Sequence, residues 1–204
     1  MELTPATTAV IAVHMQPDIV SADGGFGPLF ATQVAEHDVV AVIGKLQDAA
    51  RAAGVAVIYT RVAWKSDYSD LIPNSPLLDM VVRKKCLVDG RDQAEIIPQL
   101  SPRPGDVVVT HKRVSGFTGS DLDELLRARG IDTVLFAGVA TNASVEGTAR
   151  QAADLGYRTV IISDACSAAD QNAHDASLSS LGLLAEIATS AEAIAAMSEA
   201  RMTA

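Results

Sequence analysis

Apolar positions along this chain fall into two rhythms. Short unbroken apolar runs recur at Val10–Val13, in VAVIYTRV at 55–62, VVVTHK at 107–112, TVLFAGV at 133–139 and YRTVIIS at 157–163. Runs of this length without polar alternation predict strands covered on both faces. Between them, apolar residues return at helical spacing. Residues 33–53 carry Val34, Val39, Val42, Ile43, Leu46, Ala49, Ala50 and Ala53 before Gly54, which predicts one helix with a glycine stop. SDLDELLRARG predicts a helix with Ser120 as its N-cap and Gly130 just past its end. Further helices are expected over 142–155, over 171–185 and at the end of the chain after a short strand near 186–189. The Gly-rich stretch 18–32 reads as a loop. So does 63–90, with Pro73 and Pro76, while DQAEIIPQL forms at most a short helix. The terminal Met-Thr-Ala is expected to fray.

Strand–helix alternation over the whole length predicts a three-layer α/β/α fold with a central, mainly parallel sheet, as one domain over residues 1–204. Ligands of such sheets bind beyond the carboxyl ends of the strands, near the point where strand order reverses. His14 ends the first strand, Lys112 ends the third, and the residues after Val139 follow the fourth. That edge is the expected site.

Composition narrows the possibilities further. The formal net charge of −9 is offset by no basic block, which argues against a nucleic-acid or anionic-membrane partner. No apolar run approaches the length of a membrane span. No basic region precedes the first apolar stretch, so the N-terminal segment reads as a strand rather than a leader. Two distant cysteines, Cys86 and Cys166, suggest free thiols in the cytoplasm. The four histidines show no metal-ligand spacing, so no metal or other cofactor is expected. Only 4% of residues are aromatic, which leaves the core to Ala, Val, Ile and Leu.

Three segments meet at the expected edge: VHMQPD (13–18), HKRVSGFTGSDLDELL (111–126) and GVATNASVEGTARQAADLGY (138–157). In this order and spacing the chain resembles the isochorismatase-like hydrolase superfamily, which includes cysteine hydrolases such as nicotinamidase and N-carbamoylsarcosine amidohydrolase. The matching positions are Met15, Gln16 and Asp18; Lys112, Phe117, Ser120, Leu122 and Leu126; Gly138, Val139, Thr141, Val145, Thr148 and Ala149; and Gly156, Tyr157, Asp164 and Ala165. The resemblance spans essentially the whole chain. It implies hydrolysis of a small polar metabolite at an amide-like C–N bond, a homo-oligomer (dimer or tetramer), and a cis peptide at Val139–Ala140.

In the family a catalytic aspartate, lysine and cysteine occupy three of these positions. Lys112 matches the lysine, His14 stands where the aspartate is expected, and Ser144 stands where the cysteine is expected. A serine hydroxyl is less acidic than a thiol and needs a stronger base, and imidazole is one. His14, Lys112 and Ser144 are therefore the candidate catalytic group, with Lys112 holding His14 neutral by like-charge proximity. Backbone N–H groups where Ser144 opens its helix are expected to face an oxyanion. Trp64, Phe117, Val139, Ala140 and Asn142 are the candidate substrate contacts, with Trp64 capping the substrate or lying at a subunit interface. Two other readings stay open. One is acid-catalysed cleavage of a vinyl ether, as in isochorismatases proper. The other is a binding or regulatory module that has lost catalysis. VAWKSDYSD, after the second strand, lacks the histidines of a nicotinamidase-type metal site.

Overall fold

The computed structural model describes residues 1–203; Ala204, the last of the terminal residues expected to fray, lies outside them. Six strands form one parallel sheet: β1 (Thr8–Val13), β2 (Ala56–Val62), β3 (Val107–His111), β4 (Thr133–Val139), β5 (Arg158–Ser167) and β6 (Glu186–Ala188). Their spatial order is β3-β2-β1-β4-β5-β6. The chain runs outward from the centre through β2 to β3, then returns to lay β4 on the other side of β1. The reversal falls between β1 and β4.

Eight α-helices accompany the sheet: α1 (Pro17–Val20), α2 (Gly27–Glu36), α3 (Val39–Ala53), α4 (Pro76–Lys84), α5 (Leu122–Ala128), α6 (Glu146–Asp154), α7 (Gln171–Leu181) and α8 (Ser190–Thr203). Strand side chains alternate faces, and the core divides accordingly. Val10, Ala12, Tyr59, Leu135 and Ile162 join Ile43 and Leu46 of α3, Val81 of α4 and Met197 of α8. Ala9, Ile11, Ile58, Phe136 and Ile161 join Leu122 and Leu126 of α5, Ala149 of α6 and Leu181 of α7. Two apolar layers on a sheet buried from both sides explain why the strand sequences are unbroken apolar runs.

The expected strands are all present, and several other expectations change. The stretch 18–32, expected as a loop, holds α1 and the start of α2, whose first turns carry Pro17 and Pro28. Ser120 is not the N-cap of α5: Asp121 holds that position, and Ser120 Oγ donates to Gly116 O. The helix expected over 33–53 is two helices. The chain breaks at His37–Asp38, where Asp38 has φ 51°, a left-handed conformation that an α-helix does not propagate. The stretch 63–90 is not wholly irregular, because it contains α4. Ser75 Oγ accepts from the Leu78 N–H at 3.4 Å and Pro76 occupies the first helical position, a start signal that was present in the sequence. Leu78 and Val81 are the buried residues of α4.

β1 and β4 approach each other closely. Gly138 has φ +123°, and a Cβ placed there would sit 2.1 Å from the Val13 carbonyl oxygen. Only glycine permits this contact, and it brings the ends of the two central strands together.

Candidate active site

At the carboxyl end of β1 the backbone turns sharply. His14 has φ 55°, a region that costs a non-glycine residue on the order of 1–2 kcal/mol. Its N–H still donates to Thr60 O at 2.9 Å, and its carbonyl accepts from the Gln16 N–H at 2.8 Å. The next residues tie the surrounding loops to this turn. Gln16 Nε2 donates to Val62 O (2.8 Å) and Ala94 O (2.7 Å), while Gln16 Oε1 accepts from the Val62 N–H (2.9 Å). Asp18 accepts from the Leu87 N–H (2.6 Å) and the Gly25 N–H (3.3 Å). Trp64 pairs with the same loop, donating its N–H to Leu87 O at 2.9 Å.

Beyond β4 the Val139–Ala140 peptide is cis. A π-helical turn over Thr141–Val145 follows and leads into α6. The helix thus opens at Thr141, three residues before Ser144. Ala143 and Val145 both donate their N–H groups to Ala140 O at 3.1 Å, so those two donors are already engaged.

The ends of β1 and β4 form one wall of a cleft. His14, Val139, Ala140, Ala143 and Ser144 line it together with Trp64, and Phe26, Phe30, Leu78 and Arg113 complete much of the lining. Its cavity volume is small, about 50 Å³, and it opens to solvent. Its walls are largely apolar, broken by the polar side chains of His14, Ser144 and Arg113, a composition common in small-molecule sites.

His14 does not bond Ser144 in this structure. Its Nε2 lies 2.8 Å from His111 Nε2, and the two rings stack with centroids 4.8 Å apart. One of these nitrogens carries the shared proton and the other accepts it. Burial, followed by the neighbouring His111, pushes the His14 pKa well below the usual histidine value. Burial likewise pushes His111 down to about 4, against a smaller opposing pull from the Arg113 backbone. Both rings are neutral at neutral pH. His14 Nδ1 and Ser144 Oγ have no hydrogen-bond partner among the described residues, yet neither is among the sealed, orphaned polar atoms. Both are therefore open to a ligand in the cleft.

A sequence profile of the Isochorismatase domain matches residues 8–192. The chain belongs to the isochorismatase family. It is 40% identical over 176 residues to a ureidoacrylate amidohydrolase of Rhizobium rhizogenes, covering 80% of this chain and 71% of that one. It is 34% identical to the uncharacterized isochorismatase family protein YecD of Escherichia coli O157:H7, covering 87% and 89% of the two chains. A cysteine hydrolase from Pseudomonas syringae pv. phaseolicola superposes with a TM-score of 0.90 at 32% identity, covering 98% of this chain and 96% of that one.

Of the candidate site residues, His14, Ser144, Trp64, Val139 and Ala140 share the cleft. Three lie elsewhere. Lys112 Nζ donates to Asp70 Oδ2 at 2.8 Å and to Ala63 O at 2.6 Å and does not line the cleft. The low pKa of His14 comes from burial and His111, not from Lys112. Phe117 is buried in the α5–α6 layer, stacked on Tyr157 with ring centroids 6.0 Å apart. Asn142 is exposed on the π turn and does not line the cleft. His111 was missed, although it too ends a strand and directly precedes Lys112, so the rule that flagged His14 applied to it as well.

Among the described residues no group of three or more His, Cys, Asp or Glu side chains is placed to hold a metal ion. No helix among them is long and apolar enough to cross a membrane.

Proposed function

We propose that this family member is a hydrolase of amide-like C–N bonds in which Ser144 is the nucleophile and His14 its base. The observation that carries the reading is that His14 and Ser144, far apart in sequence, line one cleft at the strand-order reversal. The ureidoacrylate amidohydrolases among its relatives supply the bond type.

The chemistry follows from the free atoms. His14 Nε2 is held by His111, which leaves Nδ1 as the nitrogen able to act in the cleft. With Nε2–H donated to His111, Nδ1 carries a lone pair. A bound carbonyl between the two groups brings the Ser144 hydroxyl into reach of that lone pair, a contact that commonly tightens only in the substrate complex. The hydroxyl oxygen attacks the carbonyl carbon while its proton passes to Nδ1. The C–N bond then breaks, the amine leaves with that proton, and an acyl group remains on Ser144. Water, deprotonated by the same nitrogen, hydrolyses the ester. His111 is a positioning residue that fixes the tautomer and orientation of His14. Lys112 is a positioning residue as well: it holds Ala63, between cleft residues Val62 and Trp64, and is itself neutralised by Asp70.

The test is ammonia release from a panel of primary amides, N-carbamoyl compounds and ureidoacrylate, run on the wild type beside Ser144→Ala and His14→Ala. Turnover by the wild type and its loss in both variants is expected. Turnover that survives both substitutions overturns the site assignment. Retention of a panel compound without any ammonia release overturns the hydrolase reading in favour of a binding module, the reading favoured by the absence of a resting His14–Ser144 hydrogen bond.

A further inference from the structure

Arg113 is the one formally charged side chain lining the cleft, and it has no carboxylate partner among the described residues. Its guanidinium is held by neutral acceptors on the neighbouring loop: Nη1 donates to Ile72 O at 3.1 Å and Nη2 to Asn74 Oδ1 at 2.7 Å. Those contacts orient the group without neutralising it. The adjacent Lys112 is the opposite case, since its charge is met by Asp70 at 2.8 Å. A fixed, uncompensated guanidinium beside apolar walls is a strong anion site, because nearby low-dielectric surface strengthens its field and the planar fork matches a carboxylate.

Trp64, 1% exposed, also lines the cleft, but its indole Nε1–H is sealed and meets no acceptor, so it offers a ligand apolar surface rather than a hydrogen bond. The remaining surface comes from Phe26, Phe30, Leu78 and Val81, which suits an apolar or aromatic body and offers little to a wholly polar one.

From these features we infer that the cleft recognises a carboxylate carried on an apolar or aromatic body, with Arg113 as the specificity-determining residue. This deepens the hydrolase reading and rests on it only for the chemistry at the other end of the molecule. The substrate class is then an amide whose scissile carbonyl lies at His14 and Ser144 and whose apolar remainder ends in an anion at Arg113.

The test is a binding experiment, so it stands apart from turnover. The only tryptophan of the chain is Trp64, and its fluorescence reports occupancy of the cleft directly. The probes are 3-phenylpropanoate, its neutral isostere 4-phenylbutan-2-one, and acetate as an anion without the apolar body. The wild type is expected to bind the phenyl carboxylate about tenfold or more tighter than the ketone, and acetate far more weakly than either. Arg113→Gln removes the preference and leaves ketone affinity unchanged. Arg113→Lys keeps part of it, since charge is retained and the fork is lost. Equal affinities in the wild type, or a preference that persists in Arg113→Gln, overturn the inference, as does failure of both phenyl probes to bind. A retained preference with no hydrolysis of any panel amide removes only the hydrolase reading. Hydrolysis without the preference removes only this one.

Discussion

The turn after β1 contains two kinds of residue side by side. Gln16 and Asp18 are saturated: their side chains engage the backbone of Val62, Ala94, Leu87 and Gly25. His14, two residues earlier, keeps one ring nitrogen uncommitted and lines the cleft, as Ser144 does. On the proposed reading, a contiguous motif mixes groups that build the cleft with groups that act in it. The first kind are fixed by folding and the second kind wait for a ligand. Substitutions should separate the two, with one kind losing stability and the other losing turnover.

The largest effect is expected for the acting pair. Ser144→Ala and His14→Ala should each lower kcat/KM by about a thousandfold or more, the scale of removing a nucleophile or its base. Steady-state kinetics beside a denaturant melt would show this, with Ser144→Ala changing stability little. Gln16→Ala should do the reverse. It strips partners from a buried N–H and two carbonyls and should cost roughly 3 kcal/mol or more of unfolding free energy, measurable by urea unfolding. A Gln16→Ala protein as stable as the wild type would erase the distinction.

Acid should act through the paired imidazoles. His111 has a folded pKa of about 4, below the usual histidine value, because burial disfavours its charged form. Between those pH values the unfolded chain binds a proton that the folded chain does not. Stability is therefore intact above about pH 6.5 and declines as pH falls towards 4, by up to roughly 3 kcal/mol. His111→Gln should flatten that part of the stability profile. It should also lower kcat/KM by about tenfold and shift its acid limb, since His14 loses the ring that sets its tautomer. An unchanged profile in His111→Gln would remove His111 from the account.

The smallest effect concerns backbone strain. His14→Gly and His14→Ala should be equally inactive, but the glycine variant should be about 1 kcal/mol more stable, because position 14 sits at φ 55°. Equal melting curves would mean that the turn relaxes once the ring is gone.

The same contrast explains what was legible in the sequence. Fold and layer order could be read from the strands because burial on both faces leaves an unbroken apolar run, and Gly54 and Gly130 marked helix ends through their positive φ. α4 was hidden by Pro73 before it and Pro76 at its first position, although Ser75-Pro76 is itself a start signal. The candidate site was legible at strand ends for His14, Val139 and Ala140, and through the family resemblance for Ser144, which lies in the π turn. It was not legible where a side chain's direction decided the outcome. Lys112 turns to Asp70, Phe117 turns into the opposite core layer onto Tyr157, and Asn142 points to solvent. The His14–His111 contact reaches across the end of β2, because β3 is separated from β1 by that strand. No spacing in the chain encodes such a pairing.

The most direct measurement is a double-mutant cycle on His14 and Ser144, using kcat/KM for whichever panel amide the wild type hydrolyses fastest. Groups that share one proton transfer fail as a unit, so the double alanine variant should be no slower than the slower single variant. Losses that multiply in the double variant would show two groups acting independently and would contradict the account.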